Sequence, residues 1–210
     1  MKKEKLFSIA GIIAPIVYFS LVAILGLLEP NYSQMTKTMS ILGGVEGSRG
    51  LIFNSGISFV GILIIIFSTA LHKSINKGKG SKIGPILLAL GGIGLILSGV
   101  FHCNLNCTNI FVENNFVGSI HILSAFIAGM CLSIAPFFIF FRLKKDLVWK
   151  KYTHLTLAIG IASNIPGIIL WITLATTRLP AVEGLIQRLG IVFVFIWIEI
   201  LSLKMFKISK

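Results

Sequence analysis

Residues 51–82, LIFNSGISFVGILIIIFSTALHKSINKGKGSK, decide the fold. Their first part, Leu51 to Leu71, runs for 21 residues without Asp, Glu, Lys or Arg. As a helix rising about 1.5 Å per residue it spans a hydrocarbon core of roughly 30 Å. The stretch that follows holds Lys73, Lys77, Lys79 and Lys82, the mark of a loop that stays on the side where a chain is not translocated. Apolar runs of the same kind lie at 6–28, 85–101, 119–141, 155–175 and 189–206, giving six with 51–71. Helices satisfy their own backbone hydrogen bonds, which lipid demands, so the sequence predicts an all-α bundle of six transmembrane helices. Composition agrees: 55% of residues are hydrophobic and 12% charged, against about 25% charged in soluble domains.

The first run exceeds the short core of a secretory signal, and no small-x-small cleavage site follows Leu28. It is expected to stay as the first helix. With no soluble segment and no low-complexity tract, residues 1–210 read as one integral membrane domain. Fifteen of the nineteen cations fall in the two termini and in the loops around 72–84 and 142–154; only Lys37, Arg49, Arg178 and Arg188 fall in the other three loops. The positive-inside rule then puts both termini in the cytoplasm. The net charge of +12 follows from these anchors and calls for no nucleic-acid partner. The expected partners are membrane lipids, with anionic headgroups near the lysines.

The outward loops hold the chemistry. In the first, Met35, Met39 and Leu42 recur at helical spacing before Gly43 and Gly44, predicting a short helix that forms a lid or covers the helix ends. In the third, Pro180 can open a helix that carries Glu183, Gln187 and Arg188 as an extension of the last span. Arg188 is a candidate clamp for a phosphate or carboxylate, or an interfacial anchor. The middle loop runs Phe101, His102, Cys103, Asn104, Leu105, Asn106, Cys107, with His121 following in the fourth run. A disulfide between Cys103 and Cys107 is expected on an oxidising face. A zinc site built with His102 and His121 is the alternative, although the spacing matches no standard pattern. Cys131 reads as a small packing residue.

Polar residues inside the apolar runs are costly and need partners. His121 lies about one turn inside the boundary, and Asn54 sits at similar depth in the second run, with Ser124 and Ser58 one turn below them. These suggest a polar crevice opening outward between helices two and four, or hydrogen bonds that fix helix packing. Deeper, Glu199 and Asn164 form a second candidate pair, next to Ser163 and Pro166. The small residues Gly91, Gly92, Gly94 and Gly99 of the third run, and Ala125 and Gly129 of the fourth, read as sites of close helix crossing.

Ser40-Ile41-Leu42-Gly43, Asn54, the segment from Phe101 to Cys107 with His121, and Gly184-Leu185-Ile186-Gln187-Arg188 resemble a family of multi-pass prokaryotic membrane proteins, domain of unknown function 998. The resemblance spans nearly the whole chain and implies a prokaryotic plasma membrane. Where the family carries a proline and an aspartate after the third helix, this chain has His102 and Asn104. The family implies no reaction.

Two classes of function fit. One is an outward site for a small molecule or lipid headgroup, with Ser40, Asn54, His121 and Arg188 binding the ligand and His121 the candidate acid or base. The other is a non-catalytic structural or accessory protein, or a carrier using Glu199 and Asn164. Whether there is turnover is left open. There is no glycine-flanked nucleophilic serine and no phosphate loop, and His72 and His154 lie on the side away from His102 and His121. No metal and no cofactor are implied.

Overall fold

The computed structural model describes residues 3–75, 82–103, 116–176 and 180–209. Among them run α1 (Lys3–Leu28), α2 (Ser48–Ser74), α3 (Ile83–Val100), α4 (Phe116–Leu143), α5 (Thr153–Thr176) and α6 (Glu183–Ile208). Short 3-10 turns stand at Met39–Gly44, Lys150–Tyr152 and Pro180–Val182. All six helices are long and apolar enough to cross a membrane, and the protein is a multi-pass membrane protein. Its lipid-facing surface is made of apolar side chains such as Ile86, Ile93, Phe141, Ile161 and Ile172. Helix α6 starts at Glu183 rather than at the beginning of its apolar run, because the polar turn before residue 189 is already helical.

Each helix packs on the next in sequence, and α6 returns to α1, closing a ring. The contiguous core is drawn mainly from α1, α2 and α6: Ala14, Ile64, Phe67, Leu71, Trp197, Ile198 and Leu201 are fully buried. Tyr18 of α1 stacks on Phe195 of α6 with ring centroids 4.7 Å apart. Helix α5 contributes only Ile159 to this core among the described residues. It therefore stands at the periphery.

Helix α3 is held closely between α2 and α4. A Cβ on Gly92 would meet the carbonyl oxygen of Gly61 at 2.6 Å, and one on Gly94 would meet the carbonyl oxygen of Ser124 at 2.8 Å. The small residues of α3 thus serve the close crossings expected of them. Because α3 fills the space between α2 and α4, the crevice expected between helices two and four is absent from that position. Asn54 and His121 are set apart by that intervening helix.

The last carbonyls of a helix lack intrahelical donors, and near lipid they need another source. Arg49 Nη1 donates to the carbonyl of Leu28 at the end of α1, at 2.6 Å, and pairs with Glu29 at 3.1 Å. At the end of α2, Arg142 Nη2 donates to the carbonyls of His72 and Ile75, and Trp149 Nε1 donates to that of Ser74. His121 Nδ1 meets the carbonyls of Ser98 and Phe101 at the end of α3. Side chains of neighbouring elements thus close each of these ends.

Steric closeness at Gly92 and open space at Gly129 give a paired test. Gly92→Val should cost about 1–3 kcal/mol by overpacking and lower the melting temperature in detergent. Gly129→Ala, whose Cβ would have nothing within 4 Å, should leave melting unchanged or raise it slightly.

Candidate functional site

The loop after α1 folds into a fixed roof. Its 3-10 turn buries Met39 and Leu42, each 2% exposed, between α1 and α2, while Met35 stays exposed. Tyr18 donates to the Met39 sulfur at 3.5 Å. Asn54 Nδ2 donates to the carbonyl of Gly43 at 2.9 Å, and a side chain on Gly43 would strike the Asn54 amide. Asn54 is thus a fastener of the roof.

The other side of the roof is tied to the start of α6, where the first N–H groups also lack helical partners. Leu185 N–H donates to the carbonyl of Met35 at 2.9 Å, and the Gln187 side-chain oxygen accepts the N–H of Met39 at 2.6 Å. Arg188 Nη1 donates to the carbonyls of Lys37 and Gly184, and Nη2 donates to the Tyr32 hydroxyl at 2.6 Å. The Tyr32 hydroxyl in turn donates to the carbonyl of Thr38 at 3.2 Å. Burial pushes the Tyr32 phenol above its ordinary range, and the Arg188 charge offsets only part of this, so the phenol stays protonated and donating. Gly184 has no room for a Cβ against the carbonyls of Lys37 and Gln34, which is what lets the loop lie directly on the helix.

Beneath this roof lies a cavity of about 480 Å³, a size common for small-molecule sites. Thr36, Thr38, Ser40 and Ile41 cover it, and α4, α5 and α6 wall it. It reaches from His121 to Ser133 along α4, a depth of about 18 Å at helical rise. Most of its walls are apolar, including Ile122, Met130, Leu170, Ile191, Val194 and Phe195. Polar groups gather at two levels. Near the roof are Ser40, Thr38, His121, Glu183 and Gln187; at the floor are Ser133, Ser163 and Asn164. The floor groups satisfy one another: Asn164 Nδ2 donates to the carbonyls of Ser133 and Gly160, and Ser133 Oγ donates to Asn164 Oδ1 at 3.2 Å.

The wall between α4 and α5 is thin. A Cβ on Gly129 or on Gly167 would meet nothing within 4 Å, and both glycines line the cavity. Met130 and Ile168 line it too and are exposed. Trp171 stands in the same wall, edge-on to Phe126 with ring centroids 4.5 Å apart. The cavity thus reaches towards the lipid-facing surface. Ala125 and Gly129, expected at a helix crossing, instead leave space.

His121 is 6% exposed and lines the cavity. Both partners of its Nδ1 are carbonyl oxygens, at 2.8 and 3.0 Å, and these can only accept. The proton is therefore assigned to Nδ1. Nε2 is left as a buried acceptor without a hydrogen-bond partner among the described residues. Such a group costs about 1–3 kcal/mol unless something donates to it.

Of the residues singled out in the sequence, Ser40 and His121 meet at the cavity; Asn54 and Arg188 hold its roof. The guanidinium expected to clamp an anion is taken up by Lys37, Gly184 and Tyr32. Asn164 pairs with Ser133 and not with Glu199, which is half-buried in α6 with no hydrogen bond or ion pair among the described residues. No disulfide joins two described cysteines: Cys131 is free, Cys103 is disulfide-bonded, and Cys107, like Asn104, Leu105, Asn106 and Glu113, lies outside the described residues. Cys103 is buried, and the other half of the Cys103–Cys107 pairing expected from the sequence falls outside the described residues. No group of three or more His, Cys, Asp or Glu residues is placed to hold a metal among the described residues. Ser133, Gly167 and Trp171 were not anticipated, and Gly129 was read only as a packing residue. Ser133 alone carried a signal, as a polar residue deep in an apolar run.

The family model described as protein of unknown function (DUF998) matches residues 12–204, and the chain belongs to that family. No curated protein matches the chain. No solved structure matches it.

Removing the guanidinium should free the roof. Arg188→Ala is expected to cost about 1.5–3 kcal/mol per charged hydrogen-bonding group lost and to speed amide exchange across Tyr32–Gly44. Unchanged exchange in that segment would show that Arg188 does not hold it.

Proposed function

We propose that this member of the family binds an amphiphile drawn from the bilayer, its apolar chain lying between α4, α5 and α6 and its polar end under the roof. The observation that carries this reading is the form of the cavity: apolar walls, a thin side towards lipid at Gly129 and Gly167, and polar groups concentrated beneath the loop. Ser40, His121, Glu183 and Gln187 are the residues assigned to the polar end. Asn54 and Arg188 act as positioning residues by fixing the roof. Asn164 with Ser133 closes the floor.

The distribution of cations supports an orientation with both termini in the cytoplasm and the roof outside. In that orientation the ligand is a lipid or other amphiphile of the outer leaflet. The whole chain then serves as one membrane domain. The reading is one of binding, with His121 kept as the candidate acid or base.

Mass spectrometry of molecules extracted from the purified protein tests the reading. The wild type should retain a defined amphiphile, and Gly129→Leu with Gly167→Leu, which fill open space, should lose it while melting as the wild type does. Equal retention by the filled variant would overturn the cavity as the site. Protease added to intact cells should spare tags at both termini; cleavage of either would reverse the orientation.

A further inference from the structure

We propose that ligands pass into the cavity sideways from the leaflet nearest the roof, through a portal between α4 and α5 whose gate is the ring contact of Phe126 with Trp171. This rests on the reading of the cavity as an amphiphile site. Three crossings fix how the two helices lie. Phe126 meets Trp171 edge-on with ring centroids 4.5 Å apart, and Ser133 is hydrogen-bonded to Asn164. Further along, a Cβ on Gly160 would come within 3.2 Å of the Phe137 ring and 3.3 Å of Pro136. Each step along α4 is matched by an equal step back along α5, so the helices run antiparallel in one register. The first two crossings are seven residues apart on either helix, about 10 Å at helical rise. Gly129 and Gly167 fall in that interval, and a Cβ on either would meet nothing within 4 Å. Both line the cavity, and Met130 and Ile168 beside them are exposed on the outer surface. The result is a slot framed above by rings and below by hydrogen bonds.

Two other approaches are closed. The roof is tied to α6 through Leu185, Gln187 and Arg188, and to α2 through Asn54. At the level of the slot α5 and α6 are in ordinary contact, since a Cβ on Gly190 would meet the Ser163 carbonyl oxygen at 3.4 Å and Pro166 at 3.6 Å. The two ends of the slot differ in strength. At the lower end two hydrogen bonds join the helices, and at that depth no water replaces them. At the upper end there is only contact between rings, which lipid chains can take over. An amphiphile with its polar end beneath the roof and its chain lower down must bring that end past Phe126 and Trp171, because these rings lie between the slot and the level of His121. Parting the rings opens the slot upwards, while Gly160 and the Ser133–Asn164 pair hold the lower part together.

Timed loading tests the portal. Protein in detergent is incubated with a mixture of one-chain and two-chain phosphatidylglycerols brominated in the tail, recovered at intervals, and its bound bromolipid counted by mass spectrometry. Phe126→Ala should load and release about two- to tenfold faster than the wild type, the range that one ring contact spans, and reach the same final occupancy. In a Cys131→Ala background, linking Phe126→Cys to Trp171→Cys with a short bis-maleimide should stop loading when done before incubation and trap bound lipid when done after it. Linking Met35→Cys to Leu185→Cys staples the roof to α6 where the two backbones already meet, and should leave the rate unchanged. Loading that persists across the α4–α5 link, or that stops with the roof link, overturns the portal and leaves the cavity standing. No saturable loading of the wild type overturns the amphiphile site itself.

Discussion

Carbonyl groups at the ends of membrane helices impose the constraint on which this architecture turns. A span of about 20 residues satisfies itself along its length but leaves its last turn open. In this chain the loops are short and the described helix ends lie close to lipid, so side chains from elsewhere close them. Arg49 does this for α1, Arg142 and Trp149 for α2, and His121 for α3. Each cap also locks two elements together. The cap on α3 is the one with a second consequence, because an imidazole has two nitrogens. Donating from Nδ1 forces the lone pair onto Nε2, an atom that is buried and has no partner among the described residues.

The roof obeys the same logic at the start of α6. Residues separated by 148 to 156 positions meet there, with Arg188 between the Lys37 carbonyl and the Tyr32 hydroxyl, and Gln187 holding Met39. Gly184 permits the close approach. A loop tied at so many points is a rigid cover for what lies below it. The peripheral position of α5 supplies the space: α1, α2 and α6 form the packed core, and while α4 and α5 meet closely at Gly160, they leave open space at Gly129 and Gly167. The cavity is thus a product of uneven packing around the ring under a firmly held lid.

The spans were legible in the sequence because hydrocarbon thickness sets their length independently of tertiary contacts. Ser40 and His121 were legible because polar residues near the ends of apolar runs stand out. Their neighbours were not. Depth along a helix can be counted from sequence, but position around a ring cannot, so Asn54 was matched with His121 although α3 lies between their helices. Arg188 looked like an anion clamp because its acceptors are backbone oxygens in a distant loop, which no sequence pattern marks. Gly92 and Gly129 are alike as letters; one faces the Gly61 backbone at van der Waals limits and the other faces open space. The pairing of Asn164 with Ser133 was hidden for the same reason, since each needed the other helix to be placed.

The central claim is that lipid-derived chains enter the cavity, as distinct from merely coating the outer surface. The direct measurement is photocrosslinking in native membranes with an amphiphile that carries a diazirine in its apolar tail, followed by mapping of the adducts by mass spectrometry. The account predicts adducts concentrated on Met130, Ile168 and Ile191 of the cavity walls, well above those on Ile86 and Ile93 of α3, which are exposed to lipid but line no part of it. Adducts spread over α3, α4 and α5 in proportion to exposure would contradict it.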